Sequence, residues 1–215
     1  HYTELIQKEI QNELLLTQPE YLTVSLPSAN CILADKLTAF APHTTGIPLN
    51  IGKDMEVMKQ FYDISSLLDI FDDFGQIGPT YRKIAQAEID YRGIESNSEA
   101  CLWDTFDAAL CIASRGKFDK EEYPIYVKGI RELRSHIYAE NYTPEIAAGR
   151  AVKIMYMTIC LLTNTEYLCV NDYRGFLDMK IEQKKLTSLR YLKKVNPEAY
   201  AYTIKTDKLL SEGQR

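Results

Sequence analysis

Pro27-Ser28-Ala29-Asn30-Cys31-Ile32-Leu33-Ala34-Asp35-Lys36-Leu37-Thr38-Ala39-Phe40 sets a lysine inside an apolar helical pattern. Ala29, Ile32, Leu33, Leu37 and Phe40 recur at the i, i+3, i+4 spacing that gathers side chains on one helix face. Pro27 ends the preceding segment, and the Ser28 hydroxyl can accept from an amide of the first turn. Wound at about 100° per residue, Lys36 falls near the middle of the stripe, between Ile32 and Phe40. A bare ammonium in a core is costly, so this one needs a carboxylate partner or a stem that carries it out to a cleft. A cation on a fixed helix at the edge of a core suits phosphate binding.

Helical periodicity continues on both sides. Thr3 to Leu16 reads as a helix with Leu5, Ile6, Ile10 and Leu14 inward, and Tyr21 to Leu26 alternates like a strand. Pro42 to Gly52 is a turn-rich loop that carries His43. A long helix is expected from Asp54 to Phe74, closed by Gly75 and Gly78, and another from Pro79 to Arg92. Ser96 with Glu99, and Asp119 with Glu122, have capping-box spacing. They predict helices reaching about Arg115 and Ala139. Thr143-Pro144 is a cap followed by proline at the first helical position. The helix it starts, to about Asn164, is apolar nearly all round, which predicts a central position. Two or three shorter helices fill Asp172 to Ser211, and the last five residues are expected to fray.

The pattern predicts a mainly α fold, α+β overall: a helical bundle with a small N-terminal β element. Three divisions are expected, at residues 1–26, 27–170 and 171–215. The chain has 215 residues, 46% hydrophobic, enough to bury a full core. The net charge of −5 excludes a molecule that is basic overall, though not a local basic face. Five irregularly spaced cysteines and three scattered histidines, with no Cys-x-x-Cys pair, predict reduced structural thiols and no metal site. The longest apolar run, Val152 to Leu162, contains Lys153 and is short for a bilayer. The expected location is cytoplasmic, away from membranes.

A second segment completes the candidate site. In Lys59-Gln60-Phe61-Tyr62-Asp63-Ile64-Ser65-Ser66-Leu67-Leu68-Asp69, the residues Phe61, Ile64, Leu68 and Phe71 share a face. Asp63 lies at its margin, one turn after Lys59. Two consecutive helices joined by a loop of this length can bring Lys36 and Asp63 together.

The pair of motifs, Ile-Leu-Ala-Asp-Lys-Leu-Thr-Ala-Phe and then Lys-Gln-Phe-Tyr-Asp-Ile-x-x-Leu-Leu-Asp, resembles the AbiEii/AbiGii family of nucleotidyltransferase toxins over about Tyr21 to Phe74. The resemblance implies nucleotidyl transfer from an NTP to an acceptor, a toxin–antitoxin or phage-defence setting, and a nucleotidyltransferase sheet packed on a helical domain. It implies that Lys36 holds the triphosphate, that Asp63 is an essential carboxylate, and that Lys59 is the basic position just before it. Lys36 and Asp63 are thus the catalytic candidates, and Lys36 and Lys59 the nucleotide-binding ones. The family's Gly-Gly or Gly-Ser turn and Asp-x-Asp motif, which hold Mg²⁺, do not occur in residues 1–215. Mg²⁺ and NTP are therefore implied cofactors whose metal ligands lie outside this chain. The chain is expected to be the C-terminal portion of such a protein, with residues 1–26 the end of the transferase module.

Two partner expectations remain. An antitoxin protein could engage the helices, and in a second, non-catalytic reading the chain is a helical interaction module in which Lys36–Asp63 is only a structural ion pair. The basic run Lys180, Lys184, Lys185, Arg190, Lys193 and Lys194, with Tyr191 among them, could contact an RNA backbone. Asp69, Asp72 and Asp73 are spaced to bind a cation, and equally to form a solvated face.

Overall fold

The computed structural model describes residues 5–10 and 22–212. The expected class is observed: mainly α with a small sheet. A two-stranded antiparallel sheet pairs β1 (Leu5–Glu9) with β2 (Thr23–Pro27). The helices α1 (Ala29–Ala39), α2 (Asp54–Leu67), α3 (Phe74–Arg92), α4 (Ser98–Ala113), α5 (Tyr123–Arg134) and α6 (Pro144–Thr163) follow. Two 3₁₀ turns, Arg174–Phe176 and Lys184–Tyr191, lead to α7 (Leu192–Val195) and α8 (Pro197–Glu212).

The strand replaces the helix expected from Thr3. Leu5, Ile6 and Ile10 fit a helical stripe, but Ile6, Lys8 and Ile10 also alternate, and the partner strand decides. Ile6 pairs with Leu26 and Lys8 with Val24, and the Ile10 amide donates to the Leu22 carbonyl at 2.9 Å. One face therefore gathers Ile6, Ile10, Leu22, Val24 and Leu26, while Gln7 and Ser25 hydrogen-bond on the other at 2.6 Å. Among the described residues this apolar face stays open: Ile6 is 40% exposed and Leu26 38%. Leu14 and Tyr21, like the last three residues of the chain, lie outside the described residues.

The expected long helix from Asp54 breaks at Leu67, and the next begins at Phe74, ahead of Gly75, Gly78 and Pro79. The cause is tertiary. Asn30 of α1 is buried, accepts from the amides of Asp72 and Asp73, and donates to the Asp72 carboxylate at 2.9 Å. This side chain holds the turn between α2 and α3 from outside. Asp73 then caps α3 by accepting from the Gly75 amide at 2.9 Å. Asp69 reaches Lys153 at 3.8 Å. The three aspartates thus have separate structural partners and do not converge.

Asn97 rather than Ser96 caps α4, and α5 stops at Arg134, short of Ala139. Asp119 accepts from the Glu121 and Glu122 amides at 2.8 and 2.9 Å, so it orders the turn before α5. Thr143 caps α6 by accepting from the Ile146 amide, with Pro144 at the first position, as the sequence predicts.

α6 is long and apolar enough by length and composition to cross a membrane. Here it is the central element, packed against α4, α8 and α2, with Ala151, Ile154, Met155 and Met157 fully buried. One hydrophobic cluster joins Leu33 and Phe61 near the start of the bundle to Leu189 and Ile204 near its end. Four of the five cysteines are buried, and Cys169 is exposed. Burial pushes the Cys111 and Cys160 thiols up to about 12, so neither is a thiolate nucleophile at neutral pH.

Candidate functional site: the Lys36–Asp63 pair and its loop

α1 buries Asn30, Cys31, Leu33, Ala34, Leu37 and Thr38. That buried arc is rotated from the expected stripe, because α1 packs against α3 as well as α2. Lys36 therefore sits at the margin of the core facing α2, not in the middle of the apolar face. Phe61 and Ile64 of α2 are fully buried and Leu68 at its C-terminal end nearly so, as expected, while Phe71, beyond the helix, is half-buried. Phe61 meets Phe40 edge to face with centroids 5.4 Å apart, which locks the two helices together beside the lysine.

The structure brings the two catalytic candidates together. Lys36 Nζ lies 2.9 Å from Asp63 Oδ2 and donates to Gln60 Oε1 at 2.9 Å. The side chains of Lys36 and Asp63 are 23% and 29% exposed. Both acceptors come from one turn of α2, so they fix where the ammonium points. An ammonium has three donors, and these two bonds leave its third donor open to an oxygen arriving from solvent. Lys59 is exposed and forms no ion pair with Asp63. It flanks the pair without taking part in it. Gln60 is the site residue that sequence reading missed. Its position one turn before Ile64 and next to Lys59 carried no charge to draw attention.

The loop joining α1 to α2 is anchored far more tightly than its turn-rich composition suggests. The Gly46 amide donates to Ala41 at 2.7 Å, Thr45 donates to the Thr38 carbonyl at 2.9 Å, and Arg92 donates to the Gly46 carbonyl at 3.0 Å. A Cβ at Gly46 would overlap the backbone of Ala41; no larger residue fits there.

His43, which the sequence presents as a loop histidine, is the loop's main anchor. Its amide and the Thr44 hydroxyl both donate to Asp104 Oδ2 at 2.8 Å. Its Nδ1 lies 2.8 Å from Asp104 Oδ1, and its Nε2 lies 2.6 Å from Glu122 Oε1. One imidazole thus bridges α4 to the turn before α5. A neutral ring has one N–H and could serve only one carboxylate, whereas the imidazolium serves both. Partial burial opposes the charge, but the hydrogen bond and charge of Asp104, joined by Glu122, outweigh it and raise the His43 pKa.

The sign of the pH effect follows. A histidine whose folded pKa lies above its ordinary 6.5 contributes stability that is complete below that value and is lost as pH rises through the folded pKa. Thermal denaturation between about pH 6 and 8.5 is expected to show the wild type losing stability as pH rises. The loss should flatten in His43→Gln, whose amide keeps at most one of the ring's contacts. Equal slopes in the two proteins would rule out this coupling.

Mg²⁺, which the resemblance implies, finds no cradle here. Among the described residues no group of three or more His, Cys, Asp or Glu side chains is placed to hold a metal ion, and Asp69, Asp72 and Asp73 are engaged elsewhere as described. Compared with known proteins, the chain matches no family model, no curated protein and no solved structure.

Proposed function

We propose that this chain is the helical part of an AbiEii-like nucleotidyltransferase, acting in the cytoplasm, and that Lys36 binds the phosphates of the NTP whose nucleotidyl group is moved to an acceptor hydroxyl. The observation that carries the reading is the pre-oriented, quarter-exposed ammonium between Asp63 and Gln60. Transfer of this kind concentrates negative charge on the departing phosphates, and a fixed cation with one donor to spare stabilises that charge at little reorganisation cost. Asp63 acts by holding the ammonium in place. Lys59, one turn away on the solvent side, adds positive charge along the approach. The Mg²⁺ that such chemistry uses would take its ligands from a partner module. A place for that module is suggested by the apolar face of β1 and β2, which is open among the described residues. An isolated two-stranded sheet is marginal in water, and a sheet of this composition gains from further strands or a covering layer. An antitoxin is the partner class that accompanies the reading.

A second reading keeps the same atoms and removes the chemistry. Both acceptors of Lys36 belong to α2, and four clefts elsewhere in the molecule include neither Lys36 nor Asp63 in their lining. The pair would then be a clasp between two helices of an interaction module.

Lys36→Met separates the two readings. In the gene product that contains this chain, supplied with α-labelled NTP and Mg²⁺, the substitution is expected to lower label transfer by about 10²-fold, while the melting temperature moves by only a few degrees, since a partly exposed pair is worth roughly 1 kcal/mol or less. Unchanged transfer would remove Lys36 from the chemistry. A protein that melts far lower and transfers in proportion to its folded fraction favours the clasp.

A further inference from the structure

We propose that a cleft at the far end of the bundle, independent of the Lys36 site, binds a small phosphorylated molecule through Lys180, Arg190 and Lys193. The cleft has a volume of about 450 Å³ and is lined by these three cations with Met179, Ile181 and Tyr200. Its size lies within the range of roughly 300–1,000 Å³ typical of small-ligand sites.

Charge is the first argument. The molecule carries net −5, yet among the described residues the lining of this cleft holds no carboxylate. Several cations nearby in sequence or space do have acidic partners: Lys153 meets Glu198 at 3.0 Å, Lys185 meets Asp107 at 2.5 Å, and Arg174 meets Asp172 at 2.8 Å. Lys180, Arg190 and Lys193 form no ion pair with any described residue. Three cations around one concavity, with no counterion among the described residues, repel one another and gain most from a ligand bearing two or more negative charges. Lys180 also borders an adjoining cleft that contains Glu182 and Asp207. The Asp207 carboxylate is already occupied there, accepting from the amides of Glu182 and Gln183 at 3.0 and 2.8 Å.

Rigidity is the second argument. The Tyr200 hydroxyl donates to the Met179 carbonyl at 2.8 Å, tying one wall to α8. Ile181 and Tyr200 are buried at 3% exposure each, so the floor is formed by the core. Arg190 offers a planar fork suited to a phosphate, and the two lysines supply point charges beside it.

The arrangement favours a compact ligand over an RNA strand. A strand-binding surface needs a continuing track of cations and exposed rings. Here the basic run divides: the Lys185 ammonium is turned away to Asp107 and lies 5.1–5.5 Å from the ring centroids of Trp103, Phe106 and Phe118. Tyr191 donates to the Ala113 carbonyl instead of facing the cleft.

Isothermal titration of the full chain tests this, with inorganic pyrophosphate as the probe. Binding in the sub-millimolar range is expected, weakening as salt is raised. The double substitution Arg190→Ala with Lys193→Ala should weaken it by about tenfold or more. Lys120→Ala, on an exposed turn outside the cleft, should leave it unchanged. No binding at millimolar pyrophosphate, or binding indifferent to the double substitution, would overturn the proposal. A single-stranded RNA oligonucleotide that binds through the same residues, more tightly than pyrophosphate and increasingly with length, would overturn it in favour of a nucleic-acid surface. The two sites share no residue, so failure here leaves the Lys36 reading standing, and the converse holds.

Discussion

Gly129→Ala is expected to destabilise the protein by about 3 kcal/mol, although the same exchange inside an ordinary helix stabilises by roughly 1 kcal/mol. Gly129 lies within α5, where alanine is the better helix former. The reason for the reversed sign is the neighbour. A Cβ built there would overlap the Asp54 carbonyl oxygen and stand 2.7 Å from both the Asp54 carbonyl carbon and Met58 Cγ. Neither the first turn of α2 nor a packed core side chain can move away cheaply. Separating the helices would also strain the contact between Lys128 Nζ and Asp54 Oδ2, now 2.6 Å. Urea denaturation with an unchanged m-value reads the effect directly. A variant as stable as the wild type would show that α2 and α5 do not approach this closely.

Phe61→Ala should cost about 4 kcal/mol, the scale for emptying a fully buried aromatic site. Phe61 is 0% exposed and supplies half of the edge-to-face contact with Phe40. It sits two residues before Asp63, so the cavity forms beneath the pair that orients the Lys36 ammonium. Phe61→Leu, which keeps most of the volume, should cost about 1.5 kcal/mol or less. A loss from Phe61→Ala no greater than that from Phe61→Leu would mean the helices close over the gap and that this ring does not set their spacing.

Local signals foretold much of this architecture. Thr143-Pro144 marks the start of α6 because a cap and a proline act within one turn. The apolar run behind it predicts a central helix, since nothing polar gives that helix a side to show to water. Phe61, Ile64 and Leu68 declare the buried side of α2 for the same reason, and the meeting of Lys36 with Asp63 follows from two adjoining amphipathic helices. The misreadings have one physical origin, partners distant in sequence. Leu5, Ile6 and Ile10 satisfy a helical and an alternating pattern alike, and only the strand at Thr23–Pro27 chooses between them. The end of α2 depends on Asn30, forty-two residues before Asp72. His43 becomes an anchor through Asp104 and Glu122, which lie on other elements and give no sign of it locally.

The Asn30 bridge has a practical corollary. The bend between α2 and α3 is not a property of the segment that bends. Excised as a peptide, residues 54–92 would lack the amide group that satisfies the turn's donors, and nothing in their own side chains replaces it. Grafting this helical pair into another scaffold would therefore require carrying α1 along with it. Fragments chosen for expression or transplantation should be cut ahead of Ser28, never between the lysine-bearing helix and the pair it organises.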